Sequence, residues 1–168
     1  MNHPHEAILK RYLQLPDVLE KAVQGLDEAG LNLKAEGWSI RTYVHHTVEG
    51  EMMWQLYLRA ILGRNGIEFP IQWYRALSQD EWVDHWASTM RSIKPTQLLF
   101  RGSTASLVEL LRNIDIEAWK NHGKLTWPGE DRQTFLSVRD IILMNMRHVN
   151  QHAGDILSIR QMHRGQVD

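Results

Sequence analysis

Arg147-His148-Val149-Asn150-Gln151-His152-Ala153-Gly154-Asp155-Ile156, near the end of the chain, sets two histidines four residues apart with an acidic residue three further on. In a helix that spacing stacks both imidazoles on one face, the usual way a helix presents a pair of metal ligands. Two ligands leave a site incomplete, so a third must come from elsewhere. The best donor is His46, in Trp38-Ser39-Ile40-Arg41-Thr42-Tyr43-Val44-His45-His46-Thr47-Val48-Glu49.

Working outward from these two runs, helices fill most of the chain. Ser39 is a suitable N-cap, and no breaker except Gly50 interrupts the pattern before Gly63, which predicts a helix from Ser39 to Leu62 about 36 Å long. His46, Glu49, Gly50 and Met53 then share a face and His45 turns about 100° away, so His46 rather than its neighbour partners Glu49. Ser137-Val138-Arg139-Asp140 opens the last helix with a capping box in which aspartate replaces the usual glutamate. That helix is expected to continue to about His163, before Gly165.

From His5 to about Leu26 apolar positions recur at roughly helical intervals, and Pro16 within them implies a kink or two abutting helices. A third long helix is expected from Pro95 to about Asn113. Two connectors of more than twenty residues, Ile67 to Lys94 and Ile114 to Phe135, are expected to cross the ends of the bundle. The first holds Pro70, Trp73, Tyr74, Trp82, His85 and Trp86, with Ser78-Gln79-Asp80-Glu81 as a capped helix start. The second holds the turn signals His122-Gly123 and Trp127-Pro128-Gly129. No stretch alternates convincingly enough for a strand. The expected fold is a single domain spanning 1–168, an all-α four-helix bundle with long crossover connections.

Composition narrows the function. With 168 residues, 43% of them hydrophobic and 23% charged, the chain can bury a substantial core as a globular domain. No apolar run approaches the ~20 residues that cross a bilayer, and the first residues lack the order of a secretory signal, which points to the cytoplasm. Nineteen basic side chains against twenty acidic ones, without a block of either, disfavour nucleic acid as a partner. Cysteine is absent, so disulfides, zinc–thiolate sites and a cysteine nucleophile are excluded. A metal here must use imidazole and carboxylate.

Facing the His46 stripe across a bundle, the His148–His152–Asp155 stripe would bring three imidazoles and one or two carboxylates into one pocket. Three neutral histidines suit zinc, nickel or iron(II), and open coordination positions mark a catalytic site. Glu49 can act as a fourth ligand, as an acceptor that orients a histidine, or as a general base. Asp155 reads as a solvated residue at the edge of the site, His45 as turned away from it, and Trp38 as the staple at the start of the second helix.

The Trp38-Ser39-Ile40-Arg41 segment, the His45-His46 pair with its acidic residue, and the late His148-x-x-x-His152-x-x-Asp155-Ile156 helix resemble the DinB/YfiT-like family of metal-binding four-helix bundles. The resemblance covers nearly the whole chain in element order. It implies a divalent metal, commonly nickel, zinc or iron, on His46, His148 and His152, and a homodimer formed through bundle faces. Two classes of function follow. One is an enzyme acting on a small-molecule substrate, with Glu49 as the catalytic residue. It would either hydrolyse an ester, amide or lactone, or transfer a low-molecular-weight cellular thiol to an electrophile. The other is a non-catalytic metal- or ligand-binding stress-response protein.

Overall fold

A computed structural model describes residues 3–35, 37–69, 71–126 and 133–164, apart from the side chains of Trp73 and Tyr74. The expected turn at Trp127-Pro128-Gly129, Pro70 and the helix stop at Gly165 lie outside the described residues.

The helical bundle has four members. The first is broken at Pro16, as expected, into α1 (Glu6–Leu13) and α2 (Leu15–Val23), with the proline in the first turn of α2 where its missing N–H costs nothing. A short α3 (Glu28–Leu31) leads to the second member, α4 (Ile40–Gly63). The third long helix, α7 (Ile93–Asn113), starts two residues before Pro95 because Ser92 caps it, its hydroxyl accepting from the Lys94 amide at 3.4 Å. The last member is α8 (Val138–Arg164). Helix α8 packs on α2 and α4, and α7 packs on α4, α1 and α2, which closes the ring.

Local chemistry sets the entry of the two helices that matter most. Ser39 accepts from the Thr42 amide at 3.2 Å. Trp38, just before this cap, meets Tyr43 edge-on with ring centroids 5.5 Å apart, the staple contact between the residue preceding the cap and the fourth helical residue. At α8 the capping box forms with aspartate. Ser137 Oγ accepts from the Asp140 amide at 3.1 Å, and Asp140 Oδ2 accepts from the Ser137 amide at 3.0 Å.

The described parts of both connectors contain regular elements. The first contains α5 (Ile71–Tyr74) and α6 (Gln79–His85), the latter opened by a full capping box between Ser78 and Glu81. The second contains a 3-10 turn (Ile116–Lys120) and an antiparallel hairpin of β1 (His122–Thr126) and β2 (Gln133–Ser137). The expectation of no strand is therefore corrected, although the fold remains an all-α-type four-helix bundle with a small two-stranded appendage.

Gly123 hides the hairpin's inward face from a sequence reading. A Cβ there would stand 2.0 Å from the Tyr57 hydroxyl and 2.6 Å from Ile61 Cδ1, so the strand lies against α4 only because that position has no side chain. The chain leaving α4 completes the join: the Phe69 amide donates to the Lys124 carbonyl and the Lys124 amide to the Ile67 carbonyl, each at 2.8 Å.

Among the described residues, no helix is long and apolar enough to cross a membrane.

Candidate metal centre

The interface between α4 and α8 carries a core stripe on each helix. On α4, Val44, Val48, Leu58 and Leu62 recur at helical spacing and are buried; on α8, Val138, Ile142, Val149, Ile156 and Ile159 do the same. His46 from α4 and His148 and His152 from α8 meet beside these stripes. One ligand atom from each lies within 4.8 Å of the other two. The rings stand edge to face, with centroids 5.5 Å apart for His46–His148, 5.1 Å for His46–His152 and 4.6 Å for His148–His152.

Such crowding works against positive charge. Burial, aided by the neighbouring histidines 152 and 148, pushes His46 down to about 3. Burial also lowers His152, although its hydrogen bond to Asp155 acts the other way. At neutral pH both rings are therefore neutral, the form that donates a lone pair to a cation.

The nitrogens facing away from the cluster are distinguishable. His152 Nδ1–H donates to Asp155 Oδ2 at 2.9 Å, which leaves Nε2 for an ion. Asp155, expected as a solvated edge residue, thus fixes the orientation and tautomer of a candidate ligand. His148 Nδ1 is buried without a hydrogen-bond partner. Three imidazoles, one of them with its outer nitrogen already held by a carboxylate, suit a borderline divalent cation.

His45 is placed elsewhere. It is fully buried, its Nε2–H donating to the Arg91 carbonyl at 3.2 Å and its Nδ1 accepting from the Thr96 hydroxyl at 2.9 Å. It ties α4 to the first connector and to α7. Arg41 reinforces the same junction through the Arg91 carbonyl at 2.8 Å and an ion pair with Glu28.

Glu49 lines a small cleft beside His46, together with Gln79, Trp82, Val83 and Trp86. Burial raises its carboxyl pKa, opposed by a hydrogen-bonded ion pair with Arg91. The connector therefore delivers both the aromatic wall of the cleft and the cation that holds its carboxylate. Trp38 covers the other flank, its ring 4.6 Å from that of His46 and its indole N–H donating to Asp80 Oδ1 at 2.7 Å. His85 is exposed on α6, and its ring pairs with the Glu81 carbonyl at 3.0 Å.

A third carboxylate, not singled out by the spacing of the sequence, lies deeper. Glu51 is fully buried, and its Oε1 is 3.6 Å from His148 Nδ1. Its Oε2 accepts from the Tyr12 hydroxyl at 3.2 Å. Gln55 and Asn145 direct their amide groups at the same hydroxyl from 3.4 and 3.5 Å. The signal was available: Val44, Val48, Glu51, Gln55, Leu58 and Leu62 form one stripe, and polar residues inside an apolar stripe ask for a reason.

The fold and these side chains define a class, the four-helix bundle whose facing helices converge histidines on one pocket. The chain belongs to the DinB superfamily, whose family model matches residues 11–156. It is 25% identical over 153 residues to a protein of Geobacillus thermodenitrificans (strain NG80-2) named "Putative metal-dependent hydrolase", an alignment covering 88% of this chain and 79% of that one. Among solved structures it is similar to YfiT from Bacillus subtilis, described as a "probable metal-dependent hydrolase with an unusual four-helix bundle topology". That likeness has a TM-score of 0.80 at 16% identity, covering 97% of this chain and 91% of YfiT.

Proposed function

We propose that this protein is a metal-dependent hydrolase that holds one divalent ion on His46, His148 and His152 and cleaves a small ester, amide or lactone. The observation that carries the reading is the convergence of three histidine ligand atoms within 4.8 Å of one another, contributed by two helices. The names of the Geobacillus relative and of YfiT support the same reading.

A divalent ion such as zinc, nickel or iron(II), held by His46, His148 and His152, would supply Lewis acidity toward the substrate's carbonyl group. The chain's own residues do the rest. Asp155 keeps His152 in the tautomer that offers Nε2. Glu49, raised by burial and anchored by Arg91, accepts a proton from water entering the cleft and returns it to the leaving group. Trp82, Val83 and Trp86 exclude bulk water and give the acyl portion of a substrate an apolar wall.

Protein purified without an affinity tag and loaded with zinc, nickel or iron(II) would be offered ester, amide and lactone panels with and without chelator. Product release that chelator abolishes and re-addition of metal restores is the expected result. Release insensitive to chelator, or none from any panel, would overturn the hydrolytic reading. Addition of small thiols to cobalt-loaded protein tests thiol transfer directly: a thiolate-to-metal charge-transfer band without hydrolysis would replace one reaction class by the other.

A further inference from the structure

Behind the histidine cluster two buried polar atoms face each other without a hydrogen bond. His148 Nδ1 and Glu51 Oε1 are 3.6 Å apart, just beyond hydrogen-bond distance, and neither finds another partner. A buried carboxylate opposed to apolar packing is costly and persists where it has work to do. Glu51 is also held from behind, through the Tyr12 hydroxyl on its Oε2. Its free oxygen therefore cannot turn toward solvent.

The surrounding backbone restricts His148 to the same geometry. A Cβ on Gly50 would stand 3.1 Å from His148 Cε1, so the ring lies directly on the α4 backbone, one residue from Glu51. With Nδ1 buried toward Glu51, Nε2 is the nitrogen left for an ion. Asp155 already serves His152 in this way from the outer side, through Nδ1 at 2.9 Å.

We propose that Glu51 is a positioning residue for His148. Its Oε1 accepts the Nδ1–H proton, fixes the tautomer with its lone pair on Nε2, and makes that nitrogen a better donor to the ion. The inference rests on the metal reading above and deepens it. The two candidate ligands on α8 would then each be oriented by a carboxylate, one half-buried on the same helix and one fully buried on the facing helix. Glu49, the carboxylate on His46's own face, is engaged by Arg91 and left for substrate chemistry.

The test measures zinc affinity by competition with a chromophoric chelator for the wild type, Glu51→Leu, Glu51→Gln and Gln55→Met. Nitrogen-15 NMR of the His148 ring is recorded on the metal-free wild type and on Glu51→Gln. Glu51→Leu is expected to weaken zinc binding by about 10- to 100-fold, and Glu51→Gln, which keeps an acceptor oxygen without its charge, by less. Gln55→Met disturbs the same buried network through Tyr12 without touching His148, and should lower stability while leaving zinc affinity at the wild-type value. The metal-free wild type should carry its His148 proton on Nδ1, and Glu51→Gln should show a mixture of tautomers.

Wild-type affinity in Glu51→Leu, or an equal loss in Gln55→Met, would overturn the proposal. So would an Nε2–H tautomer in the wild type. If Glu51→Leu does not fold, Glu51→Gln and the ring tautomer decide. A wild type that binds no zinc would sink the metal reading itself, and the tautomer of the metal-free chain would still judge the Glu51–His148 pairing.

Discussion

Gly50 and His148 are matched across the α4–α8 interface: the histidine ring rests where a side chain on residue 50 would begin, 3.1 Å from the position of its Cβ. An ordinary helix interior favours alanine over glycine by ~1 kcal/mol, so glycine here gives up helix propensity for the approach of an imidazole.

Gly50→Ala separates the two effects. The metal-free protein should be as stable as the wild type or up to ~1 kcal/mol more stable by urea denaturation. Zinc affinity should fall about tenfold, because the ring must shift by a few tenths of an ångström from its place beside His46 and His152. Unchanged affinity would show that His148 is not held against α4.

The adjacent histidines of α4 should behave in opposite ways. His46→Ala should abolish the metal-induced rise in melting temperature, which for a thousandfold excess of ligand over Kd corresponds to about 4 kcal/mol. His45→Ala removes buried hydrogen bonds to Arg91 and Thr96. It should lower the melting temperature of the metal-free protein by the equivalent of ~1–3 kcal/mol and leave the metal-induced rise intact. Thermal scans with and without zinc check both, and equal responses would mean that His45 and His46 have been given each other's roles.

Acid should destabilise the metal-free protein through His46. An unfolded histidine takes a proton at about 6.5, whereas buried His46 resists it until about 3. Between these values the unfolded chain binds more protons, so stability is full above about 6.5 and declines as pH falls toward 3. From pH 6.5 to about pH 5 the loss is ~2 kcal/mol. His45 and His152, lowered mainly by burial, act with the same sign. Glu49 and Glu51, raised by burial, act with the opposite sign. Urea midpoints of the wild type and His46→Gln across this range isolate the His46 contribution. The variant should show the flatter profile, and parallel profiles would contradict the burial of His46 as a neutral ring.

Gly123→Ala should cost ~3 kcal/mol or more, because its Cβ would overlap the Tyr57 ring and hydroxyl on a packed helix. The urea midpoint measures this. A neutral outcome would mean that the hairpin does not lie against α4 as described.

The long helices and the stacking of His148 with His152 on one face were legible because both depend on local spacing: 3.6 residues per turn decides which side chains share a face before any tertiary contact exists, whereas the choice of His46 as their partner leaned on the family resemblance. Equally local rules made the break at Pro16 visible, through proline's missing N–H, and placed Trp38 against the start of α4, through its position just before the N-cap. Locality also explains what was missed. Glu49 stood out because it shares His46's helix face, whereas Glu51 meets His148 only through the relative register of two helices, which no intrahelical spacing encodes. The hairpin escaped because its inward positions begin with Gly123, whose fitness is set by Tyr57 some sixty residues away. Arg91 as the partner of Glu49 likewise depends on how a long connector crosses the bundle.

Anomalous diffraction at the zinc absorption edge, on crystals of tag-free protein equilibrated with zinc, decides whether the three histidines share an ion. One strong peak is expected within bonding distance of His46, His148 and His152 together. A peak placed elsewhere, or none at these three side chains under saturating zinc, would contradict a shared site.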